Sequence, residues 1–359
     1  MYKRQDITGI SFEEDVLANS YIDLNPSYDE SQNAYPIRIS VKEGTDMTSL
    51  APIFELTPGA TISPASGSVQ NFTTPVRYTV TSEDKAWHRV YAITAREQKA
   101  SNIPTTYHFE KVRIMQNVWQ EFYEEQDSGN ELTWASGNKG FKWAMSEAAT
   151  EDYPTTQIDN GKTGKCVKLE TRLTGDLGNM VGMPIAAGNL FIGSFDMLNA
   201  ITNPLSATRF GTPFYNKPLR LTGYYKYKAG EQFYENGEYT SRKDIFNIYA
   251  IFYDGVKYDS AGKGTDVTLD GNLPNQNYEH SSMVALALVS NPQETEGDEW
   301  KFFDIPFDYQ RYGKKIDEAR LAKGEYKIGI IFASSKDGAT FEGAPGSTLL
   351  IDEVELIYE

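Results

Sequence analysis

Alternating tyrosines and basic residues in the segment 219–228 are well suited to contact a ligand. In an extended strand successive side chains alternate between two faces, so Tyr225 and Tyr227 share one face while Tyr224 lies on the other with Arg220. Sugar rings stack their C–H patches on aromatic faces, and their hydroxyls pair with planar polar groups. The pattern predicts carbohydrate contact by Tyr224, Tyr225 or Tyr227. Ordinary cross-strand packing of these tyrosines is the alternative.

Three tryptophans follow one another in a segment that lacks a clear strand period. Trp119, Trp134 and Trp143 lie among glycine, asparagine and serine residues, which are typical of loops. Aromatic side chains in the loops of a β-sandwich are common binding elements. We therefore expect at least one of the three to contact a ligand, and packing inside the protein is the alternative.

One predicted strand carries a carboxylate and a cation at neighbouring positions of one face. Residues 165–172 place Val167 and Leu169 inward, whereas Glu170 and Arg172 point to the opposite face with Cys166. A guanidinium beside a carboxylate can clamp a ligand. A solvated ion pair worth less than about 1 kcal/mol is the alternative.

Paired carboxylates are the minimum requirement for hydrolysing a glycosidic bond. They stand about 5 Å apart in retaining enzymes and about 6.5 to 9.5 Å apart in inverting enzymes. Asp337 and Glu342 lie in one loop between two predicted strands and are the best-placed acids for such a pair. Solvated loop acids are the alternative, because the spacing does not establish a shared cleft. The sequence lacks the G-x-S-x-G, P-loop and dinucleotide-binding signatures.

The composition argues against several classes of partner and site. Asp and Glu number 50 against 34 Lys and Arg, which gives a net charge of −16, and no basic run is present that could follow a phosphate backbone. Nucleic acid is therefore not an expected partner. No apolar run reaches the roughly 18 to 20 residues that span a bilayer. Cys166 is the single cysteine and the three histidines lack metal-ligand spacing, so neither a disulfide nor a histidine-built zinc site is expected.

Strand patterns dominate the elements that must position these residues. Ile37, Ile39 and Val41 alternate with polar residues, and two further strands flank the turn at 82–85 as a β-hairpin. Polar residues without periodicity at 97–104 predict a linker. We therefore expect an N-terminal β-sandwich at 1–99 and a second domain at 100–359.

The second domain has eight strand candidates and little helix. The strands are predicted at 107–112, 165–172, 219–228, 245–253, 283–289, 300–307, 326–334 and 347–358. Those at 245–253 and 283–289 are apolar on both faces, which is typical of central strands in a covered sheet. One short helix is expected, at 315–322. Without a βαβ rhythm, the prediction is a large all-β sandwich.

The segment 105–359 contains a series of motifs in a fixed order: LETR at 169–172, AAGNLF at 186–191, FGTPF at 210–214, GYYKY at 223–227, FASSKDG at 332–338 and GSTLLIDEVEL at 346–356. These ordered motifs resemble the putative carbohydrate metabolism domain family, a set of secreted or surface lipoproteins of glycan-degrading Gram-negative bacteria. The first hundred residues resemble the immunoglobulin-like modules that often precede this domain. Lys336 of the FASSKDG motif joins the ligand-binding candidates.

The resemblance implies a fold, a location and a role in glycan use. It implies an all-β chain with an immunoglobulin-like β-sandwich followed by a jelly-roll β-sandwich related to carbohydrate-binding modules. It also implies a position at the cell surface or in the periplasm, with a lipid anchor in the precursor. The family supplies no established catalytic residues.

A structural calcium ion is a further expectation. In β-sandwich carbohydrate modules, which this domain resembles, Ca²⁺ often joins the first strand to the last through a Glu and an Asp. Glu110 and Asp352 match those places, and Asp352 interrupts the apolar row of the last predicted strand. The remaining ligands would be backbone carbonyls. A bulge or a salt bridge is the alternative, and no other cofactor is expected.

Three functions remain open at this point. The favoured one is a non-catalytic glycan-binding protein of a carbohydrate-utilisation system, which recognises its ligand by aromatic stacking and polar contacts. The second is a glycoside hydrolase that uses paired loop carboxylates. The third is a structural or adhesin-like surface subunit that contacts another protein.

Overall fold

The computed structural model describes residues 5–14, 16–17, 22, 24, 26–98, 103–126 and 131–359. In this part the chain is built mostly from β-strands, with four short α-helices and four turns of 3₁₀ helix. The predicted all-β fold is confirmed. The chain divides into two compact units, one of residues 1–100 with 358–359 and one of residues 101–357.

The smaller unit is a β-sandwich whose two sheets share one apolar core. Its strands are β1 (Ile7–Ser11), β2 (Tyr35–Lys42), β3 (Ile53–Leu56), β4 (Thr61–Ser63), β5 (Val76–Thr81) and β6 (His88–Gln98). One sheet has the order β2-β6-β5-β4, and the other pairs β1 with β3. The predicted hairpin is β5 and β6, while β2 runs parallel to β6. Ile37, Ile39 and Val41 pack with Ile7 and Phe54, so the alternation correctly located the buried face of β2.

The larger unit contains the remaining strands and all four α-helices described. Its first strands are β7 (Thr106–Tyr107), β8 (Val112–Met115), β9 (Trp119–Glu125), β10 (Glu131–Thr133), β11 (Thr155–Asp159), β12 (Lys165–Glu170), β13 (Arg172–Leu173), β14 (Ile185–Ala186), β15 (Asn189–Phe191), β16 (Gly193–Phe195), β17 (Thr208–Phe210) and β18 (Thr212–Phe214). They are followed by β19 (Pro218–Lys228), β20 (Phe233–Glu235), β21 (Glu238–Thr240), β22 (Asn247–Asp254), β23 (Val256–Tyr258), β24 (Gly264–Asp266), β25 (Leu269–Asp270), β26 (Met283–Leu288), β27 (Lys301–Pro306), β28 (Tyr326–Ala333) and β29 (Thr348–Tyr358).

Two principal sheets form the body of the larger unit. The first has the order β11-β12-β29-β19-β27, with β7 also paired to β29. The second has the order β15-β28-β22-β26, with β18 also paired to β28. Aromatic side chains connect the sheets, because the rings of Tyr225 and Tyr227 on β19 lie 4.8 and 4.9 Å from the ring of Phe246, which precedes β22.

The strands that are apolar on both faces are buried on both faces. Every residue of β22 except the last is buried, as is every residue of β26 except the last. One face of β22 packs against Leu269, Leu273 and Tyr278 from the long connection between β24 and β26. A covering layer therefore explains why no polar alternation is seen in these strands.

The expectation of a single helix was incomplete. Besides α4 (Glu318–Leu321), which lies in the predicted place, the larger unit has α1 (Asn138–Ala144), α2 (Gly175–Met180) and α3 (Met197–Thr202). Gly140 and Gly178 lie inside α1 and α2, and glycine lowers intrinsic helix propensity by about 1 kcal/mol relative to alanine. These short helices are held by tertiary contacts, which a single sequence does not reveal.

Candidate functional site

An open cleft of about 730 Å³ lies on the larger unit beside the carboxyl end of α1. The chain after α1 forms one wall through residues 145–148 and Asp152, and the β12–β13 segment forms another through residues 170–173. Pro345 and Gly346 complete it from the loop between β28 and β29. Segments far apart in the sequence thus bring Glu170 and Arg172 into one concave surface.

Charged groups meet at the guanidinium of Arg172. Its Nη2 lies 3.1 Å from a carboxylate oxygen of Glu170, and its Nη1 lies 3.8 Å from one of Asp152. Lys168 also pairs with Glu170, at 3.1 Å. The Nε–H of Arg172 has no hydrogen-bond partner among the described residues. The predicted pair of Glu170 and Arg172 is therefore part of a larger ionic cluster on the cleft wall, and the Nε atom of Arg172 is buried.

A buried carboxylate beneath the cleft holds two of its walls together. One oxygen of Asp244 accepts hydrogen bonds from the hydroxyls of Ser335 and Ser347, each at 2.6 Å, and from the backbone N–H of Ala344 at 2.8 Å. The hydroxyl of Ser335 lies 2.5 Å from that of Thr171, which separates Glu170 from Arg172. Burial raises the pKa of Asp244 above its ordinary value.

An apolar cavity adjoins the cleft at helix α1. Phe141 and Ala144 line both spaces, and Trp143 borders the cavity with 38% of its surface exposed. The buried amide of Asn138 fixes the start of the helix, since it donates to the carbonyl of Thr155 and accepts from the N–H of Thr155. Of the three predicted tryptophans, Trp143 is the most exposed.

The other two tryptophans are buried. Trp134 is 1% exposed and packs its ring against those of Tyr107, Phe109 and Phe332, so we assign it to the core. Trp119 is nearly buried at the start of β9. Both also border a smaller cleft of about 330 Å³.

The smaller cleft also contains charged residues. Glu121 and Lys139 line it together with the two buried tryptophans. Burial raises the pKa of Glu121 above its ordinary value. The indole N–H groups of Trp119 and Trp134 have no partner in the part of the chain that the structure describes.

The three tyrosines of β19 fall on opposite faces, as their alternation requires. Tyr225 and Tyr227 are 2% and 3% exposed and pack inside the larger unit, so in this structure neither is accessible to a glycan. Tyr224 lies on the outer face, with its ring 5.1 Å from that of Phe302 on the neighbouring strand β27. Phe302 is 53% exposed. Tyr224 and Phe302 therefore form an accessible aromatic pair.

The loop acids are separate from the cleft lining. Asp337 forms an ion pair with Arg242, which also pairs with Glu235 at 3.0 Å. The backbone N–H of Glu342 donates to the carbonyl of Asp337. The backbone N–H of Lys336 donates to the carbonyl of Ile245. These contacts fix the loop after β28, whose residues Gly338, Ala339 and Phe341 line the apolar cavity.

Glu110 and Asp352 face the same hairpin loop between β11 and β12. Asp352 is buried and accepts the N–H of Thr163 at 3.0 Å, while Glu110 accepts the N–H of Lys165 at 2.8 Å. Burial raises the pKa of Asp352 to about 6. No group of three or more Asp, Glu, His or Cys side chains able to hold a metal occurs among the described residues.

The two carboxylates at this loop would supply only part of a calcium site. In this structure both accept hydrogen bonds from backbone N–H groups, and Ca²⁺ takes roughly six to eight oxygen ligands, so the remaining ligands would be carbonyl groups or water. Burial of a carboxylate disfavours its negative charge, and a cation would offset that cost. Glu110 and Asp352 would hold the ion, whose role would be to join the first and last strands of the larger unit; this stays a proposal.

Two residues of these surfaces were absent from the sequence-based candidates. Asp152 was missed because it belongs to a turn of 3₁₀ helix (Thr150–Asp152) that only the fold places next to Arg172. Phe302 was missed because its pairing with Tyr224 depends on the register of β19 with β27. The alternation within 300–307 predicted a strand but not its neighbour.

None of the helices in the described ranges has the length and apolar character needed to cross a bilayer.

Comparisons with known proteins identify the chain's relatives. The putative carbohydrate metabolism domain matches residues 108–357, and the domain described as SGBP, N-terminal, matches residues 23–95. The structure of a putative glycoside hydrolase from Bacteroides thetaiotaomicron is 44% identical, with 99% of this chain and 96% of that chain covered and a TM-score of 0.65. Another, from Bacteroides vulgatus, is 50% identical, with 71% and 98% covered and a TM-score of 0.66. Among curated proteins, none matches this sequence significantly.

The family resemblance found in the motifs is confirmed by these matches. The larger domain match spans more than half of the chain, and the two structures share far more identity than a common fold requires. The smaller match falls within the N-terminal unit. The chain therefore belongs to the putative carbohydrate metabolism domain family.

Proposed function

We propose that this protein is an extracytoplasmic glycan-binding protein of a carbohydrate-utilisation system, and that its larger unit recognises a saccharide without cleaving it. The observation that carries the proposal is the open cleft in which Glu170, Arg172 and Asp152 meet. The two domain matches support an association with glycans, because one is a carbohydrate metabolism domain and the other belongs to surface glycan-binding proteins.

The chemistry of the cleft suits a polyhydroxylated ligand. Its volume of about 730 Å³ falls within the range of roughly 300 to 1,000 Å³ typical of small-molecule sites. A guanidinium donates several hydrogen bonds in one plane, and carboxylates accept hydrogen bonds from hydroxyl groups. Arg172 and Glu170 together therefore offer both a donor and an acceptor to neighbouring hydroxyls of one sugar ring.

Aromatic contact would come from the exposed rings. Trp143 is next to the cleft on α1, and Tyr224 with Phe302 presents a second platform on the outer face of the first sheet. Flat aromatic faces pack against the C–H patches of a sugar.

The smaller unit would act as a spacer, and the precursor would carry a lipid anchor at the cell surface. Protease treatment of intact cells tests that location, because only a surface protein would be digested.

A glycan array, together with isothermal titration of each hit, tests the binding proposal. We expect wild-type protein to bind at least one glycan and Arg172→Ala to lower the affinity about tenfold or more, since charge-assisted hydrogen bonds contribute about 1.5 to 3 kcal/mol each. Arg311→Ala is the matched control, because Arg311 forms an exposed ion pair with Glu279 and does not line the cleft. Equal losses in both variants, or no glycan bound, would refute the proposal.

Glycoside hydrolysis is the second candidate, and one feature favours it. The carboxylates of Asp152 and Glu170 both lie next to Arg172 on the wall of an open cleft, and both solved relatives are described as putative glycoside hydrolases. Against this, the carboxylate of Glu170 is already held in ion pairs with Lys168 and Arg172, each at 3.1 Å.

A reducing-end assay on every bound glycan separates the two candidates. Release of new reducing ends that is lost in Glu170→Gln and Asp152→Asn would establish hydrolysis in the cleft. Release that is lost instead in Asp337→Asn and Glu342→Gln would assign it to the loop acids. Binding without release supports recognition alone.

A further inference from the structure

The cavity behind α1 differs in chemistry from the adjoining cleft. It measures about 130 Å³ and is lined by apolar side chains of α1, α3 and the turn after β28. Large rings border it, among them Phe141, Trp143, Phe195 and Phe341. Many of its other lining residues are glycine or alanine, which leave the space between these rings open.

A cavity of this size and lining can hold a small apolar group. Interiors are packed so closely that few voids exceed the size of a water molecule. An apolar cavity of about 150 Å³ stays dry and binds benzene, because water finds no hydrogen-bond partners in it. The volume of about 130 Å³ is therefore close to that needed by one aromatic ring or one short branched acyl group.

The position of the cavity connects it with the cleft. Phe141 and Ala144 lie on one face of α1 and line both spaces, so the cavity and the cleft adjoin at these two side chains. Trp143, on the same helix, is partly exposed at the cavity. A ligand with both hydroxyl groups and an apolar substituent would place each part in a matching environment.

We propose that this cavity is a subsite for a single aromatic ring or short acyl group, carried as a substituent on the saccharide bound in the cleft. This inference rests on the proposed glycan-binding function and specifies its ligand. The protein would then select substituted saccharides over their unsubstituted forms. Full burial of a phenyl-sized group favours binding by about tenfold or more.

Benzyl alcohol tests the cavity without any sugar. We expect saturable changes in the amide ¹H–¹⁵N spectrum confined to α1, α3 and the turn at Gly338–Thr340, together with a higher thermal midpoint. Ala200→Phe fills the cavity from α3 and should abolish both effects. Leu198→Ala is the control on the same helix, because Leu198 is exposed and does not line the cavity.

A second filling variant guards against a folding defect. Ala339→Leu fills the cavity from the turn after β28. If the spectrum of Ala200→Phe is that of an unfolded protein, the same test is made with Ala339→Leu. No saturable response in wild type, or an unchanged response in the folded filling variant, overturns the proposal. Failure of the glycan array with a positive benzyl alcohol result would reject the glycan-binding function but not the apolar site.

Matched glycosides then test whether one ligand uses both spaces. For a sugar that binds in the array, we expect its benzyl glycoside to bind about tenfold tighter than its methyl glycoside. The advantage should vanish in the filling variant, while the affinity for the methyl glycoside stays unchanged. Equal affinities of the two glycosides for wild type would overturn the proposal that one ligand occupies both the cleft and the cavity.

Discussion

Removal of the Asp244 carboxylate should destabilise the larger unit more than most single substitutions do. The carboxylate accepts hydrogen bonds from Ser335, Ser347, Ala344 and, at 2.9 Å, the N–H of Ile245. A buried donor left without a partner costs about 1 to 3 kcal/mol. In Asp244→Ala the buried Ala344 N–H loses its acceptor and two hydroxyls lose their charged partner, so we expect a loss of about 3 kcal/mol.

The amide variant should show an intermediate loss. Asp244→Asn keeps one oxygen, which can accept the three hydrogen bonds that converge on a single carboxylate oxygen, but the negative charge is lost and the NH₂ group then faces the N–H of Ile245, which needs an acceptor. We expect a decrease of about 1 to 2 kcal/mol in the free energy of unfolding. Asp298→Asn is the control, because Asp298 is fully exposed and its ion pair with Lys226 contributes less than about 1 kcal/mol.

The pH dependence of the same variant gives a second check. Since burial raises the pKa of Asp244, the folded state holds this proton more tightly than the unfolded state, whose value is about 3.9. Its contribution to stability is therefore largest below the unfolded pKa and is lost as pH rises through the folded pKa. The stability of wild type relative to Asp244→Asn should increase as pH falls from 7 towards 4.

Urea unfolding followed by intrinsic fluorescence measures both effects. A loss below about 1 kcal/mol in Asp244→Ala at pH 7 would show that the network does not stabilise the larger unit. The difference in the free energy of unfolding between wild type and Asp244→Asn should grow towards pH 4. A difference that stays constant or shrinks would refute the assigned direction of the pKa shift.

Three further predictions concern other parts of the larger unit. Tyr225→Ala should cost about 3 to 5 kcal/mol in urea unfolding, whereas Tyr224→Ala should cost under about 1 kcal/mol, because only the first ring is buried; similar costs would contradict the assignment of faces. Millimolar CaCl₂ should raise the thermal midpoint of EDTA-treated wild type but not that of Asp352→Asn, and a midpoint indifferent to Ca²⁺ and EDTA would rule out the calcium site. Ala200→Leu should raise the free energy of unfolding by about 1 kcal/mol, within the ceiling of about 3 kcal/mol for a cavity of this volume, and a loss of stability would mean that the space cannot accept a side chain.

The strands of the larger unit could be predicted because their signals are local. Seven of the eight predicted segments contain a long strand in nearly the expected place, from β12 to β29, because runs rich in β-branched and aromatic residues favour extended structure. The first segment, 107–112, includes the end of β7 and the start of β8, with an unpaired stretch between them. Phe109 in that stretch has a positive φ of 56°, which ends the strand.

The exposure of individual aromatic residues could not be predicted in the same way. Alternation divides the tyrosines of β19 between two faces, but Phe246, which precedes β22, packs against one of these faces and so decides which is buried. Trp134 is enclosed by Tyr107, Phe109 and Phe332, which come from distant positions in the chain. Likewise, the grouping of Asp152 with Arg172 and the position of Asp244 beneath Thr171 depend on contacts between distant segments.

The place of β29 determines when the larger unit can finish folding. This strand is the last of the larger unit, yet it lies between β12 and β19 in the first sheet and also pairs with β7. The residues of β29 must therefore leave the ribosome before the centre of that sheet can form. Such distant pairings slow folding. Until β29 has been synthesised, β12 and β19 expose unpaired edges, and a chain truncated before Thr348 would retain them and be prone to aggregation.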